Sequence, residues 1–389
     1  MTTTRIVGWA HSPFGALDEP DTQALMEPVV CEALDHAGVD ADDVDGVFVG
    51  VLNHGFSRQD FQAALVGVAD ARLARTPATR VENACATGSA ALYAALDFID
   101  AGRGDIALVV GAEKMTGIPT ADVGDALLCA SYRREEDQEP GGFAGIFGRI
   151  AADYFARYGD RSEELAIIAA KNHRNAVDNP YAHMRKDLGV DFCNTVSERN
   201  PLVAGPLRRT DCSLITDGAA ALVVARDEVA RQLDRAIGFR GRAHANDHLP
   251  LSRRDPTAFD GARSAWAAAC DHAGLATTDL DLIETHDCFT IAELIEYEAF
   301  GLAEPGQGHT VVREGLTAPD GPLPINRSGG LKAKGHPIGA TGVSMHAVAC
   351  MQLSGAAGDM QVADAELVGV FNMGGAAVAN YASILERVR

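Results

Sequence analysis

An internal repeat is the feature that most constrains how this chain can fold. The segment 33–39, Ala-Leu-Asp-His-Ala-Gly-Val, recurs at 269–275 as Ala-Cys-Asp-His-Ala-Gly-Leu, and the Ala-Thr-Gly at 86–88 recurs at 340–342 before a second alanine-rich stretch. Each copy has the pattern of a helix, a turn and a continuous apolar strand, which is typical of strands buried on both faces. Such strands alternating with helices predict a layered α/β fold.

The repeat also predicts the domain organisation. The first copy covers about residues 1–114 and 209–240, and the second covers 241–389. An insertion at about 115–208 has no counterpart in the second copy. We therefore expect an N-terminal half at 1–240, which carries the insertion, and a C-terminal half at 241–389.

A histidine framed by glycines is the first candidate for chemistry. His336 stands in the run Asn-Arg-Ser-Gly-Gly-Leu-Lys-Ala-Lys-Gly-His-Pro-Ile-Gly-Ala-Thr-Gly at 326–342. Glycines at this density let the backbone approach a ligand closely and permit positive φ angles. A rigidly held histidine can act as a base near neutral pH. We therefore predict that His336 is a general base and not an incidental histidine in a turn.

A cysteine ahead of a predicted helix is the second candidate. Cys85 directly precedes the alanine-rich run 86–96. The free N–H groups and partial positive charge of a helix N-terminus favour a thiolate and can hold an oxyanion. A free cysteine is usually a buried packing residue, so on Cys85 alone the two interpretations are even. The presence of His336 favours the nucleophile, as in other Cys/His pairs.

Four segments in series resemble thiolases, and more narrowly the thiolases of the sterol-carrier-protein type. They are Asn-Ala-Cys-Ala-Thr-Gly-Ser at 83–89, His-Asp-Cys-Phe at 286–289, Gly-His-Pro-Ile-Gly-Ala-Thr-Gly at 335–342 and Asn-Met-Gly-Gly-Ala-Ala at 372–377. The resemblance extends over essentially the whole chain. It implies the thiolase fold, in which two similar αβα halves form a five-layered αβαβα sandwich and an inserted loop domain covers the active site.

The fourth segment departs from the pattern of many thiolases. Those proteins carry a second catalytic cysteine where this chain has Asn372, and an amide cannot do the acid/base work of a thiol. Thiolases of the sterol-carrier type are expected to lack that cysteine and to use the cysteine of the His-Asp-Cys-Phe motif, which is Cys288 here. The absence of a cysteine at position 372 and the presence of Cys288 agree, and together they favour the sterol-carrier type.

The resemblance implies a 3-oxoacyl-CoA thiolase, or acetyl-CoA C-acyltransferase, with definite roles for its residues. His336 takes the proton of Cys85, whose thiolate attacks the 3-keto carbon. Cys288 protonates the enolate that leaves and later deprotonates coenzyme A. His286 and His336 hold the thioester oxygen of the enolate, and the backbone N–H groups of Cys85 and Gly374 hold the acyl oxygen. Coenzyme A is a substrate, and no metal or redox cofactor is expected.

The charge of the chain narrows the range of partners. With a formal net charge of −21, it is not expected to bind nucleic acid or an anionic membrane surface. Coenzyme A is itself an anion, so local cations must bind it, and the candidates are Lys332, Lys334, Arg208 and Arg209. No apolar run reaches transmembrane length and the eight cysteines show no disulfide framework, so we expect a cytoplasmic protein.

The resemblance also bears on assembly and on competing functions. We expect a homodimer or homotetramer, and a small OB-fold protein associated with acyl-CoA is a further expected partner. Three other functions stay open: a β-ketoacyl synthase, a thiolase-like aldolase or acyltransferase subunit that works with an OB-fold partner, and a non-catalytic acyl-CoA-binding subunit. The motif around His336 favours a thiolase over the first, and the presence of both Cys85 and Cys288 argues against the last.

Overall fold

The computed structural model describes residues 4–389, so the first three residues of the predicted N-terminal half lie outside it. The strands, numbered along the chain, are β1 Thr4–His11, β2 Gly46–Gly50, β3 Ala78–Val81, β4 Ile106–Glu113, β5 Leu202–Ala204, β6 Leu207–Arg208, β7 Gly218–Arg226, β8 Ile237–Asn246, β9 Leu282–Glu284, β10 Leu367–Gly374 and β11 Ala379–Arg387. The strands β4 and β7 are buried along almost their whole length, as expected from their continuous apolar sequences.

Helices connect these strands. They are α1 Thr22–Ala37, α2 Val66–Ala69, α3 Thr87–Asp100, α4 Thr120–Leu127, α5 Arg133–Glu136, α6 Phe143–Tyr158, α7 Ser162–Val177, α8 Gly189–Asn194, α9 Asp227–Ala230, α10 Asp260–Ala273, α11 Thr290–Ala299, α12 Gly308–Arg313 and α13 Ile338–Leu353. Within residues 4–389, none of the helices combines the length and apolar character needed to cross a bilayer.

Most of the strands form one mixed sheet whose order repeats. The order is β3-β2-β4-β7-β1-β8-β11-β10-β9, and β5 and β6 form a separate two-stranded sheet. The run β2-β4-β7-β1 is mirrored by β9-β10-β11-β8, so the sequence repeat corresponds to a repeat of strand order. The two halves of the sheet join where β1 pairs with β8, at Arg5 with Gly238 and Ile6 with Ile237.

The helices turn the two halves of the sheet into five layers. α1 packs on β1, β4 and β7, and α10 packs on β8 and β11. Alternate residues of β4 point into two different cores: Leu108 and Val110 face the core shared with α1, and Ala107 and Val109 face the core shared with α3. α13 contacts β4 and β7 of the first half and β10 of the second, so α3 and α13 form the central layer. The predicted αβαβα sandwich is confirmed.

Glycines allow the two central helices to cross in backbone contact. A Cβ atom at Gly88 of α3 would lie 2.7 Å from the backbone nitrogen of Val343, and one at Gly342 of α13 would lie 2.2 Å from the backbone nitrogen of Ser89. Larger residues would therefore separate the helices. This close approach is the physical reason why Ala-Thr-Gly occurs in both copies, and it brings the first turns of both helices together.

The insertion lies between β4 and β7 and contains α4 to α8 with β5 and β6. The predicted boundary between the halves, after residue 240, falls inside β8. That strand pairs with β11 from Ile237 to Asn246 and belongs as a whole to the second half of the sheet. The division of the chain into two domains at this residue stays a prediction.

Candidate active site

The predicted nucleophile lies on a tight loop between β3 and α3. α3 begins at Thr87, two residues after Cys85, and Ala84 has a φ of 49°. The backbone N–H of Asn83 donates to the hydroxyl of Thr87 at 2.8 Å, which closes the loop. A positive φ is costly for a residue with a side chain. The surrounding contacts therefore hold this conformation, with Cys85 buried at the start of the helix.

His336 lies in the turn before α13, and a buried carboxyl group anchors that helix. Glu113, at the end of β4, accepts the backbone N–H of Gly339 at 3.0 Å and those of Leu52 and Asn53 at 2.9 Å each. Burial raises the pKa of Glu113 to about 7, although the three N–H donors oppose the shift. Glu113 thereby ties the first turn of α13, and with it His336, to the first half of the molecule.

The loop 286–289 follows β9 and is tied to the glycine-rich segment. Asp287 accepts the backbone N–H of Leu331 at 2.6 Å and that of Lys332 at 3.2 Å. Both donors belong to a short π-helical turn that leads towards α13. Gly330 at the start of this turn has a φ of 59°, and a Cβ atom there would lie 2.3 Å from Oδ2 of Asp287. Glycine at this position is therefore required for the two loops to meet.

These segments bring the predicted catalytic side chains together. Sγ of Cys85 and one ring nitrogen each of His286 and His336 lie within 4.8 Å of one another. The two imidazole rings meet edge to face, with their centroids 5.1 Å apart. Cys288 lines the same cavity as Cys85 and His336. All four side chains are buried, so residues far apart in sequence share one site.

An apolar cavity of about 280 Å³ opens onto this group. The insertion supplies part of its wall through Val123 and Leu127 of α4 and Phe143 of α6. The segment 212–215, just before β7, supplies another part. The two predicted catalytic cysteines and His336 line it as well. A substrate group that fills this cavity must therefore be largely apolar, and the insertion covers it.

Burial sets the protonation state of the Cys/His pair. It raises the pKa of the Cys85 thiol to about 12, with a smaller contribution from Cys129, while the backbone N–H groups of Gly375 and of Cys85 itself oppose the shift. Burial also lowers the pKa of His336 to about 3, and the nearby Lys334 adds to this effect. Burial therefore outweighs the helix N-terminus, which by itself favours the thiolate. Both groups are neutral at pH 7.

The other two side chains are neutral for the same reason. Burial, followed by the proximity of Cys85 and of buried carboxyl groups, holds the pKa of the Cys288 thiol well above its usual range. Burial, followed by the neighbouring His336, holds the pKa of His286 well below its usual range. The site therefore contains two thiols and two uncharged imidazoles at neutral pH.

Hydrogen bonds give the two imidazoles different surroundings. The Thr341 hydroxyl donates its only hydrogen to the carbonyl oxygen of Pro337 at 3.0 Å, so it accepts the N–H of Nδ1 of His336, 2.7 Å away. The lone pair of His336 is then on Nε2, which has no hydrogen-bond partner among residues 4–389. Beside His286, the side-chain nitrogen of Asn372 lies 2.9 Å from Nδ1. Thr341 lies in the repeated Ala-Thr-Gly, but its role was not predicted, whereas Asn372 was marked by its replacement of a cysteine.

The end of β10 approaches the Cys85 loop. A Cβ atom at Gly374 would lie 2.4 Å from the carbonyl oxygen of Asn83, so the two backbones are in contact. The backbone N–H groups that lower the pKa of the Cys85 thiol are those of Gly375 and of Cys85 itself. The role of Gly374 as a donor to the acyl oxygen stays a prediction. Gly375 was missed, because two adjacent glycines in a sequence do not indicate which N–H points to the site.

The structure buries three of the four predicted coenzyme A contacts, and all four stay predictions. Lys332 and Lys334 are buried in the π-helical turn and do not line the cavity. Arg208 is buried as well, and its Nε donates to Asp211 at 2.8 Å. In this conformation none of these three cations is presented at the surface to a ligand phosphate. Arg209 is exposed and stays a predicted contact.

Cys85, His286 and His336 also have the spacing of a three-ligand metal set. A metal on Nε2 of His286 would require the ring proton to lie on Nδ1. Asn372 directs a side-chain nitrogen at that atom, which disfavours the arrangement. The absence of a metal requirement stays a prediction, and the hydrogen bonding favours it.

Comparison with known proteins decides the family. The family model of the thiolase N-terminal domain matches residues 4–228, and the thiolase C-terminal domain-like model matches residues 243–387. The chain belongs to the thiolase family. The predicted family is therefore confirmed, and both halves of this thiolase contribute to the match.

Relatives of this thiolase include named acyltransferases. It is 36% identical to the acetyl-CoA acetyltransferase of Methanothermobacter thermautotrophicus over 379 residues, which cover 96% of this chain and 97% of the relative. It is 34% identical to sterol carrier protein 2 of Homo sapiens over 317 residues, which cover 77% of this chain and 56% of that protein. The solved structure of an Ltp2-ChsH2(DUF35) aldolase has the same fold, with a TM-score of 0.83 at 20% identity over 100% of this chain and 98% of that one. The prediction that this thiolase is an acyltransferase enzyme is confirmed.

Proposed function

We propose that this thiolase cleaves a 3-oxoacyl-CoA with coenzyme A, and in reverse condenses two acyl-CoA molecules, through a thioester on Cys85. The observation that carries the proposal is the group formed by Sγ of Cys85 and one ring nitrogen each of His286 and His336, within 4.8 Å of one another. Cys288 lines the same cavity. A nucleophile, a base, a hydrogen-bond donor and a second thiol are the four groups that this reaction needs.

The first step is acylation. Cys85 is a thiol at rest, and Nε2 of His336 is free to accept its proton as the sulfur attacks the 3-keto carbon. The new C–S bond forms and the bond between carbons 2 and 3 breaks, leaving an enolate of the shorter acyl-CoA. Its oxygen accepts hydrogen bonds from His286 and from the newly protonated His336. Proton transfer from Cys85 thus creates one of the donors that the enolate needs.

The second thiol completes the cycle. Cys288 donates its proton to the carbon of the enolate, and acetyl-CoA or a longer acyl-CoA leaves. Free coenzyme A then gives its thiol proton to the Cys288 thiolate and attacks the acyl group on Cys85. The Cys85 thiolate is released and takes back its proton from His336. Burial keeps the pKa of Cys288 high, so it enters each cycle as an acid.

The cavity suggests the class of substrate. Its wall of Val123, Leu127, Phe143 and Ile215 would hold an aliphatic or sterol-derived acyl group and exclude water from the thioester. The names of the relatives, acetyl-CoA acetyltransferase and sterol carrier protein 2, suggest a role in lipid metabolism, in the degradation of fatty acids or sterols. The Arg209 side chain is our proposed contact for a coenzyme A phosphate.

The proposal extends to assembly and location. A homodimer or homotetramer in the cytoplasm fits the resemblance to other thiolases. A small OB-fold protein associated with acyl-CoA is the proposed partner, and the aldolase structure with its DUF35 component is the reason to look for it. If such a partner is required, the purified chain alone will show little cleavage, and addition of the partner will restore it.

The decisive experiment is the mass of the acyl-enzyme. Wild-type protein is mixed with acetyl-CoA and examined intact and after digestion, and we expect one acetyl group on Cys85. Cys85→Ala should show none, while Cys350→Ala, which removes a buried thiol from α13, should be acetylated like the wild type. The same proteins are assayed for coenzyme A-dependent cleavage of 3-oxoacyl-CoA substrates of increasing length.

These measurements also separate the competing functions. A non-catalytic acyl-CoA-binding subunit would bind the ligand without forming a thioester on Cys85. An aldolase would leave 3-oxoacyl-CoA intact even with coenzyme A present. Either result would overturn the proposed reaction.

A further inference from the structure

Asn372 lies in the middle of the site, yet the reaction above gives it no proton to transfer. It is fully buried on β10. Its Oδ1 accepts from the hydroxyl of Ser89 at 2.8 Å, and its Nδ2 donates to the carbonyl oxygen of Cys85 at 3.1 Å. The same Nδ2 lies 2.9 Å from Nδ1 of His286. The third of these contacts bears on the chemistry.

The first two contacts fix which way the amide points. A carbonyl oxygen can only accept, so the atom of Asn372 that faces the Cys85 carbonyl must be the nitrogen. On the other side, the Ser89 hydroxyl donates to Oδ1, and a Cβ atom at Gly342 would lie 2.5 Å from that oxygen. Glycine there leaves room for the amide in this orientation. The second hydrogen of Nδ2 is therefore directed at His286.

The direction of that hydrogen bond decides the tautomer of His286. A ring nitrogen that accepts a hydrogen bond carries no hydrogen of its own. A neutral imidazole that accepts at Nδ1 must therefore carry its proton on Nε2. Nε2 of His286 has no hydrogen-bond partner among residues 4–389, so its N–H is available to a ligand.

We propose that Asn372 is a positioning residue that holds His286 as the Nε2–H tautomer. The consequence rests on the proposed function, because this tautomer offers a donor to the thioester oxygen of the enolate. Thr341 does the opposite for His336, whose N–H is held at Nδ1 and whose Nε2 is left as a base. Two identical side chains in one site are thereby given opposite roles.

The test reads the tautomer directly. In protein labelled with ¹⁵N at histidine, long-range ¹H–¹⁵N correlation spectra distinguish the two neutral tautomers, and His286→Asn assigns the signals of His286. We expect the Nε2–H form in the wild type. In Asn372→Leu, which keeps the volume but loses the donor, we expect a mixture or the Nδ1–H form.

A second buried asparagine provides the matched control. Asn380 of β11 also donates from its side chain to main-chain carbonyl groups, those of Ala245 at 3.2 Å and Ala377 at 3.0 Å. Asn380→Leu therefore removes a buried amide without touching His286. Its His286 signals should match those of the wild type.

Kinetic measurements give a second readout, which a purely structural role of Asn372 would not change in this way. Asn372→Leu should slow exchange of the α-protons of acetyl-CoA by about 10- to 100-fold, somewhat less than the 10²–10³-fold that follows complete loss of an oxyanion donor. Alkylation of Cys85 by iodoacetamide should slow much less than this exchange, because Thr341 and His336 are unchanged and the variant loses only the donor to the Cys85 carbonyl oxygen.

Two results would overturn the proposal: an Nδ1–H tautomer of His286 in the wild type, or an unchanged tautomer in Asn372→Leu. If Asn372→Leu does not fold, the tautomer of His286 in the wild-type spectrum tests the proposal by itself. A protein with the Nε2–H tautomer that neither exchanges α-protons nor cleaves a 3-oxoacyl-CoA would instead overturn the proposed function, and the assignment of Asn372 would stand.

Discussion

The hydroxyl oxygen of Thr341 lies 2.7 Å from Nδ1 of His336. Because that hydroxyl donates to the carbonyl oxygen of Pro337, it can only accept from His336. The lone pair that takes the proton of Cys85 is therefore directed by Thr341, which lies five residues further along the chain in the first turn of α13. The ability of His336 to act as a base at Nε2 depends on Thr341 as well as on where the imidazole lies.

Thr341→Val should test this dependence, because valine keeps the shape and loses the acceptor. We expect acetylation of Cys85 by acetyl-CoA to slow by about 10-fold or more, a part of the 10²–10⁴-fold that a positioned base contributes. The rate is followed by intact-protein mass. Thr277→Val is the control, since its hydroxyl donates to the carbonyl oxygen of Phe300 outside the site. Acetylation of Thr341→Val at the wild-type rate would show that the threonine does not direct the base.

The protonation states predict a characteristic pH dependence. His336, with a pKa of about 3, stays a free base over the whole neutral range, so alkylation of wild-type Cys85 by iodoacetamide should change little with pH there. In His336→Ala the thiolate must form by itself. Because the pKa of Cys85 is about 12, the rate of Cys85 alkylation in this variant should rise about tenfold for each pH unit through neutrality. Parallel pH profiles in the two proteins would refute the Cys85–His336 pair.

Cys288→Ala should separate the two halves of the reaction. Acetylation of Cys85 by acetyl-CoA should persist at least in part, because His336 and His286 are intact. Exchange of the α-protons of acetyl-CoA, followed by NMR in deuterated water, should fall by about 10²–10⁴-fold, and thiolysis with it. Cys193→Ala, which removes a buried thiol from α8, is the control. Near wild-type exchange in Cys288→Ala would assign the proton transfer to water or to His286.

Gly330→Ala should lower the free energy of unfolding far more than Gly315→Ala does. Both Gly330 and Gly315 have positive φ angles, 59° and 68°, but a Cβ atom at Gly315 meets nothing within 4 Å. Gly315→Ala should cost only the conformational strain, about 1–3 kcal/mol of the free energy of unfolding. Gly330→Ala adds a clash with the Asp287 carboxyl group, so its unfolding midpoint in urea should fall further. Equal midpoints would mean that the two loops separate at no cost.

Much of the fold followed from the repeat alone. Two copies of a helix, turn and apolar strand predicted α/β layers, and the strand orders β2-β4-β7-β1 and β9-β10-β11-β8 have the corresponding symmetry. The join between β1 and β8 could not be predicted, because pairing between distant strands leaves no local pattern. The boundary after residue 240 cuts β8 for the same reason: strand ends are set by the partner strand, here β11.

The predicted contacts for coenzyme A show that local sequence does not indicate which cations are buried. Lys332, Lys334, Arg208 and Arg209 were candidates because an anionic ligand needs local cations in a chain of negative net charge. Whether a cation faces solvent depends on segments distant in the chain. Asp211 pairs with Arg208, and the packing around the π-helical turn buries both lysines.

The sequence by itself determined the family, the two-copy α/β plan and the candidate nucleophile, base and second thiol, because each has a motif in contiguous residues. The tertiary structure decided the protonation of those groups and the direction of their hydrogen bonds. Burial makes Cys85 a thiol and His336 a neutral base, and Asn372 and Thr341 orient the two imidazoles. Desolvation and hydrogen-bond direction arise only when distant segments pack together, so they cannot be recognised in a single stretch of sequence.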